Sequence, residues 1–539
     1  MKKSKYRDYV KNVAIPVLVY GAVAGVFVGT LVYFFKLAAD WLVEKSGEIY
    51  SFVSENPAFV PLLLAGLVVL AVIESLLQKW APETRGGGIP RSEGVLRGLL
   101  TFRWLRTAIA VVVNSFISFF AGLPLGTEGP SVLLGTAIGG GTARLPLSHN
   151  SWNRYIMTGG ASAGFAVATN APLTGIIFAL EEAHKRFTPM IWLMAFSSVG
   201  FASATSFLWS AALGKSVSPL FGFGHGAESS LVPMPNMSID MVWVVLLLGI
   251  AVGVVACLFN LTIAKAGNFF DNKLSPKFNQ TFRLIIVFLI VGIVGLFSVD
   301  ALYGGHGLIV NIYSQKFTIA MLVVLLILKF ILISLCSSTG ATGGMFIPML
   351  AVGALLGGIM GNVFILMGMS ETYFPVVVVI SMSAFMGAST RAPLTAVVFV
   401  VECTWQFTNL FYVAVAVFVS VLICEVLRIE PLYDVVLERM IEKQNHGKTS
   451  KILNIDCVAQ AGSFAIGKAV RDIIWPANTK VNDIEEDDTH ERKMDDDGEK
   501  KIFIGDKLNI VVQTYDENAT LAELQDILGK QPQLETTVK

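Results

Sequence analysis

Apolar residues run along this chain in long blocks rather than in alternation. Residues 13–35, 61–77, 241–263 and 321–335 are nearly continuous apolar runs. About twenty such residues cross the hydrocarbon core of a bilayer, so these runs predict membrane-spanning helices. Other apolar segments are too short to span, and Gly and Pro interrupt them at 86–90, 122–130, 159–172, 340–348 and 387–393. Broken helices survive in lipid only where the freed backbone is buried in protein or lines a cavity. Short interrupted segments at corresponding places in two halves of a chain point to a transporter's binding site.

The halves correspond in sequence. "APLTGIIFALEE" (171–182) recurs as "APLTAVVFVVEC" (392–403). "GGGI" (86–89) has a looser echo in "GHGL" (305–308), and "GTEGPS" (126–131) a looser one still in "GATGGMFIP" (340–348). An internal repeat of this kind predicts two related structural units. Near residue 443 the composition changes. The expected organisation is a membrane domain over 1–442, a polar linker over 443–457 and a small domain over 458–533.

Composition supports this division. The chain is 54% hydrophobic and 15% charged, with a mean hydropathy of +0.65. A soluble enzyme is excluded on that ground, and no nucleophile–base pair or metal spacing argues for an enzyme. The net charge is zero, and no basic tract points to nucleic acid. Lys2, Lys3, Lys5, Arg7 and Lys11 precede the first apolar run, which predicts a cytoplasmic N-terminus. That run is too long for a signal peptide and no small-residue cleavage site closes it. The five cysteines are scattered and read as small apolar packing residues.

The glycine–proline turns carry the chemistry. A helix N-terminus presents unpaired N–H groups and the positive end of the dipole. Several such ends aimed at one point make an anion site without placing a full lysine charge in the membrane. Glycine admits the ion to the backbone, and proline at the first helical position gives up only an N–H that would be unpaired anyway. "GGGIP", "GTEGPS" and "GGMFIP" all have this composition. Within the second, Glu128 puts a carboxylate at a helix start, where the dipole favours it and where it mimics a permeant anion. A proton on Glu128 weakens that attraction and lets a real anion displace it. Ionisable residues inside a membrane are functional candidates by default.

Gly86 to Pro90, Gly126 to Pro130, "GFAVATNAPLTGIIFALEE" (164–182) and Gly344 to Pro348 resemble, in order and approximate spacing, the signature segments of CLC chloride channels and transporters. The resemblance covers residues 12–442. It implies an all-α polytopic membrane protein of two inverted repeats of broken and tilted helices. It also implies a homodimer with one anion pathway per subunit, and both termini in the cytoplasm. It makes Glu128 the gating and external proton glutamate and Glu182 the internal proton glutamate. Anion binding falls to Gly87, Gly88, Ile89, Pro90 and Gly129, to the backbone of Met345 and Phe346, and to the Tyr433 hydroxyl. Glu181, beside Glu182, is the alternative internal acid on spacing alone. Glu402, its counterpart in the repeat, is given no proton role.

Two positions depart from the family pattern. Gly87 stands where the middle residue is usually serine, which predicts weaker discrimination of chloride from nitrate. The fluoride-exporting branch typically carries a larger residue there, so fluoride ranks low. Thr127 stands where many members have Arg or Lys, which predicts gating at higher pH.

In the tail, "KLNIVVQTY" alternates as a strand and "ATLAELQDILGK" reads as an amphipathic helix. With 458–481 they give a β–α–β rhythm that resembles the TrkA (RCK) C-terminal domain. That resemblance implies a bacterial origin and a ligand-regulated module, with a nucleotide among the possible ligands. Ten acidic residues between 483 and 500 read as a solvated loop. The leading expectation is chloride exchanged for protons, with no cofactor and no metal. The alternatives are a passive anion channel and a membrane-anchored ligand sensor.

Overall fold

The computed structural model describes residues 10–145, 150–216, 220–221, 234–274, 277–314, 317–405, 407–486, 492–494, 498–530 and 535–538. The N-terminal basic cluster lies outside them, except for the backbone of Lys11. The membrane part is a stack of helices: α1 (Ile15–Glu55), α2 (Val60–Trp80), α3 (Gly88–Leu96), α4 (Trp104–Phe120), α5 (Glu128–Thr142), α6 (Asn153–Thr169), α7 (Pro172–Phe178), α8 (Pro189–Ala212) and α9 (Val242–Phe269). It continues through α10 (Gln280–Phe297), α11 (His306–Tyr313), α12 (Ile319–Thr339), α13 (Phe346–Leu366), α14 (Phe374–Thr390), α15 (Pro393–Thr404), α16 (Leu410–Val426) and α17 (Leu432–Gln444). Among the described residues, eight helices are long and apolar enough to span a bilayer. The short α3, α7 and α11 lie among them. The first spanning helix is far longer than its apolar block, running on to Glu55.

The repeat is visible in the helix starts. α14, α15 and α16 each begin 221 residues after α6, α7 and α8. Both units break at the same place. Asn170 and Arg391 take left-handed backbone (φ 52° and 61°), which ends α6 and α14 just before Ala-Pro. Pro172 and Pro393 then open the next helices, where a missing N–H costs nothing. The break is therefore narrower than the glycines at 159–172 and 387–393 predict. Gly159, Gly160 and Gly164 lie inside α6, and Gly387 lies inside α14. Their role is close packing: a Cβ on Gly160 would run into the carbonyl of Gly135 on α5, and one on Gly164 into that of Ser131.

A reciprocal cap joins the two units. Glu402 accepts hydrogen bonds from the Leu173 and Thr174 amides at 2.8 and 2.7 Å and from Thr174 Oγ1 at 2.6 Å. Glu181 does the same for Leu394, Thr395 and the Thr395 hydroxyl at 2.9, 2.6 and 2.6 Å. Each acid satisfies the open N-terminus of the other unit's short helix, where a negative charge is favoured.

The tail is a five-stranded antiparallel sheet, β1 (Lys451–Val458), β2 (Thr479–Glu485), β3 (Arg492–Met494), β4 (Lys507–Thr514) and β5 (Glu535–Val538), in the order β3-β2-β4-β1-β5. Helix α18 (Glu517–Leu528) crosses from β4 to β5. Both strands run antiparallel to the β1 between them, so β4–α18–β5 is a β–α–β unit. The structure differs from expectation in two places. β1 occupies much of 443–457, the stretch read as a linker. The segment 458–481 contains a single 3-10 turn, Val470–Asp472, and no α-helix. The acidic run contributes to β2, while 487–491 and 495–497 lie outside the described residues.

The tail is docked on the start of α6. Tyr155 Oη donates to the Asp472 carbonyl at 2.6 Å and accepts from the Ile474 amide at 2.9 Å. Arg154 donates to the Trp475 carbonyl at 2.9 Å and pairs with Glu523. Phe464 meets Trp152 edge-on, with ring centroids 5.3 Å apart.

Candidate anion site

Three helix starts converge on one point. Gly126 and Gly344, one from each half, exchange backbone hydrogen bonds of 2.7 and 2.8 Å in an isolated antiparallel bridge. The bridge fixes the start of α5 against the start of α13. A Cβ on Gly129 would stand 2.7 Å from Gly344 Cα and 3.2 Å from Gly88 N, so the start of α3 is drawn into the same spot. These contacts require glycine, because any side chain would separate the helix ends. Gly88, Ile89, Pro90, Gly129, Met345 and Phe346 are all buried there. Gly87 stands just ahead of α3 in extended backbone (φ −68°, ψ 139°), and a Cβ placed on it would lie 3.9 Å from Met345 Cε.

Three buried acidic or hydroxyl groups, Glu128 at this point and Tyr433 and Glu182 in one another's field, lack full partners. Glu128 is the first residue of α5 and 2% exposed. Its Oε1 accepts from Thr127 Oγ1 at 3.0 Å, and its Oε2 has no partner. Thr127 thus gives the carboxylate a neutral hydroxyl donor where many family members place a cation. Tyr433, in the first turn of α17, is 3% exposed with an unpartnered hydroxyl, and Glu182, Glu93 and Glu128 all act on it electrostatically. Both carboxylate oxygens of Glu182 are buried and unpartnered. Buried polar atoms without partners are rare in folded proteins and mark places where an ion, a water or a proton belongs.

Glu182 lies in a π-turn, Ala179–Ala183, and two features sequence reasoning missed surround it. Arg97 clamps the turn by donating to the Glu182 and Ala183 carbonyls, both at 3.0 Å. Glu93, on α3, is 1% exposed, faces Glu182 electrostatically and sits 3.6 Å from Arg97. The neighbouring acids differ in space: Glu181 is engaged in the cap on α15, whereas the Glu182 carboxylate has no hydrogen-bond partner among the described residues. Two further buried charges gave no motif. Glu74 accepts from Gln78, Ser118 and the Thr342 amide, and Lys329 donates to the Leu302 and Tyr303 carbonyls at 2.7 Å each. Only their position within apolar helices could have flagged them.

Glu128 also borders a cavity of about 610 Å³ lined by Lys36, Asp40, Asp300, Tyr303 and His306 among others. The echo of the first glycine motif, Gly305 to Leu308, lines that cavity. Gly86, from the first motif, lines a separate one with Gly340 and α17. The two copies of the motif thus line different cavities. No group of side chains able to hold a metal ion occurs among the described residues.

This geometry defines a polytopic membrane protein of two related helical units whose helix starts converge at a buried glycine bridge. Residues 66–425 match the family model described as voltage gated chloride channel, and the chain belongs to that CLC family. It is 30% identical over 453 residues to the H(+)/Cl(-) exchange transporter ClcA of Yersinia pseudotuberculosis, covering 81% of this chain and 90% of the relative. It is 28% identical over 440 residues to the ClcA of Salmonella arizonae, covering 81% and 91%. Among solved structures, a slow cyanobacterial Cl-/H+ antiporter superposes with a TM-score of 0.73 at 28% identity, covering 80% of this chain and 99% of that one. A CLC-type fluoride/proton antiporter shares the fold at a TM-score of 0.62 and 20% identity, covering 78% and 98%.

Proposed function

We propose that this protein is a secondary transporter that exchanges chloride for protons. The observation that carries this reading is the pair of buried, incompletely partnered carboxylates, Glu128 at the convergent helix starts and Glu182 in the field of the unpartnered Tyr433 hydroxyl. Glu128 competes with chloride for the N–H groups at the head of α5. A proton arriving from the 610 Å³ cavity neutralises it and frees the place for chloride. The anion is held by the backbone of Gly87, Gly88, Ile89, Gly129, Met345 and Phe346 and by the Tyr433 hydroxyl, with Pro90 shaping the turn. Glu182 takes the proton on toward the tail side. The exchange stays coupled because one carboxylate occupies the anion path only while it lacks a proton.

Family membership supports a homodimer with both termini in the cytoplasm, and the strand–helix pattern of the tail supports a TrkA-C-like regulatory module. The test is a proteoliposome assay. An imposed chloride gradient should drive uphill proton movement, and Glu128→Gln should abolish the proton movement while leaving chloride flux. Chloride flux with no uphill proton movement in the unmodified protein would replace exchange by a passive channel.

A further inference from the structure

The cavity beside Gly86 has a volume of about 550 Å³. Its inner wall is the loop ahead of Gly87, held by the Gly86 amide on the Gly340 carbonyl at 3.1 Å. Its outer wall includes Lys443 and Gln444 at the end of α17, just ahead of the tail. It is therefore the antechamber of the anion site on the tail side.

Four guanidinium groups line it: Arg85, Arg91, Arg283 and Arg439. The cavity's carboxylates are Glu83 and Asp271, and Asp271 pairs with Lys443 at 2.7 Å. Among the described residues none of the four arginines makes an ion pair. The Nε of each is buried without a partner, and the one side-chain hydrogen bond among them runs from Arg283 to Gln280 Oε1 at 2.6 Å. Glu83 acts favourably on Arg91, and Asp271 on Arg283 and Arg439, while Arg85 lies in the repulsive field of Arg283 and Arg91 in that of Arg85. Four guanidiniums and Lys443 face only two carboxylates in this cavity. Like charges drawn partly out of water with too few counter-charges are costly, and an anion between them lowers the cost. The planar fork of arginine matches oxyanions bidentately, which a spherical chloride cannot exploit. Four forks around one space also exceed what a single monovalent ion neutralises.

We propose that this cavity binds a polyvalent phosphate, and that its occupant blocks chloride from reaching the anion site on the tail side. Through Arg439 and Lys443 the occupant also holds α17, the helix that carries Tyr433. The phosphate groups belong either to a free molecule or to a phosphorylated lipid headgroup, which share this chemistry. The blocking part rests on the chloride reading above; the binding part does not.

The test uses the full chain. Calorimetry in detergent with inorganic pyrophosphate reads binding whether or not the protein transports anything. Saturable binding that weakens tenfold or more in Arg85→Ala/Arg439→Ala establishes the site. In proteoliposomes, pyrophosphate on the tail side should slow chloride flux, with higher chloride relieving the block. A parallel set of vesicles containing a phosphorylated inositol lipid, compared with vesicles of zwitterionic lipid alone, identifies the lipid as the source if only those vesicles show slowing that the double variant abolishes. No binding of pyrophosphate together with no lipid effect in the unmodified protein overturns the proposal. So does affinity unchanged in the double variant. A double variant that carries chloride more slowly, in a protein pyrophosphate does not affect, also overturns it and makes the arginines a chloride-attracting funnel.

Discussion

At the scale of the residue, neighbouring positions in one motif have opposite tolerances. A Cβ on Gly88 would run into the Gly129 carbonyl, a backbone atom that cannot yield without moving α5. Gly88→Ala should therefore abolish anion binding and much of the stability. Gly87 has room: the nearest atoms to a Cβ there are Pro90 Cδ at 3.5 Å and the Gly343 carbonyl at 3.8 Å. Gly87→Ser should fold and add a hydroxyl donor toward the anion. One such hydrogen bond contributes roughly 0.5–1.5 kcal/mol, so the chloride-over-nitrate flux ratio should rise by about 2- to 10-fold. An unchanged ratio in a folded variant would remove Gly87 as a determinant of selectivity. The adjacent acids 181 and 182 separate in the same way. Glu181→Ala loses three hydrogen bonds at the head of α15 and should cost about 2–4 kcal/mol, since bonds to charged groups are worth roughly 1.5–3 kcal/mol each and are not additive. Its proton-to-chloride ratio should survive. Glu182→Gln breaks no hydrogen bond, so its stability should hold while proton coupling is lost. A denaturation midpoint and a coupling ratio measured on both variants check the assignment.

At the scale of the element, the apolar blocks predicted spanning helices because lipid imposes one requirement on composition, and the repeat marked the α6–α7–α8 and α14–α15–α16 units because their sequences still agree. Packing left weaker traces. Gly21, Gly25 and Gly29 follow a small-residue spacing that lets α1 lie against α8, where Cβ atoms on Gly21 and Gly29 would stand 2.7 Å from Ser197 Cβ and 2.9 Å from Ala202 Cα. They sit inside an apolar run that reads as lipid-facing. Glu93, Arg97 and Lys329 gave no motif, because the groups that place them, the 182–183 turn and the 302–303 carbonyls, are far away in the chain. Cys257 and Cys424 meet at 2.9 Å despite their separation. In the tail, alternation marked β4 and amphipathicity marked α18, but β1 was obscured by the polar stretch around it. Burial there has a pH signature. Lys468 donates to the Phe464 carbonyl and lies 3.9 Å above that ring; burial pushes its ammonium down to about 8. The folded tail thus holds fewer protons than the unfolded chain between pH 8 and the ordinary lysine value near 10.4. Its stability should rise with pH across that window, and Lys468→Met should flatten the rise. Urea midpoints at pH 8 and 9.5, read by pulse proteolysis of the tail, check the sign.

At the scale of the whole molecule, the tail touches the segment that leads to the internal acid. Tyr155 and Arg154 hold the tail at the head of α6. One turn on, Thr158 Oγ1 bonds His184 Nε2 at 2.7 Å, and His184 follows the π-turn that carries Glu182. A chain of packed contacts thus runs from the 472–475 loop to Glu182, and its two ends are the tail and the acid proposed to carry protons. Contact alone does not make coupling; a two-state element biased from both ends does. Tyr155→Phe removes both hydrogen bonds to the loop and keeps the ring against Phe464, 6.0 Å from centroid to centroid. Two bonds of this kind are worth roughly 1–3 kcal/mol together, enough to make the 455–480 segment exchange its amide hydrogens about 5- to 100-fold faster where docking protects them. If the tail regulates transport through this contact, the same variant should shift the proton-limited rate while leaving anion selectivity unchanged, because Gly87 and the other residues proposed to hold the anion lie away from the contact. Faster exchange with transport unaltered would make the docking a structural anchor and move regulation to α17, the covalent link between the tail and Tyr433.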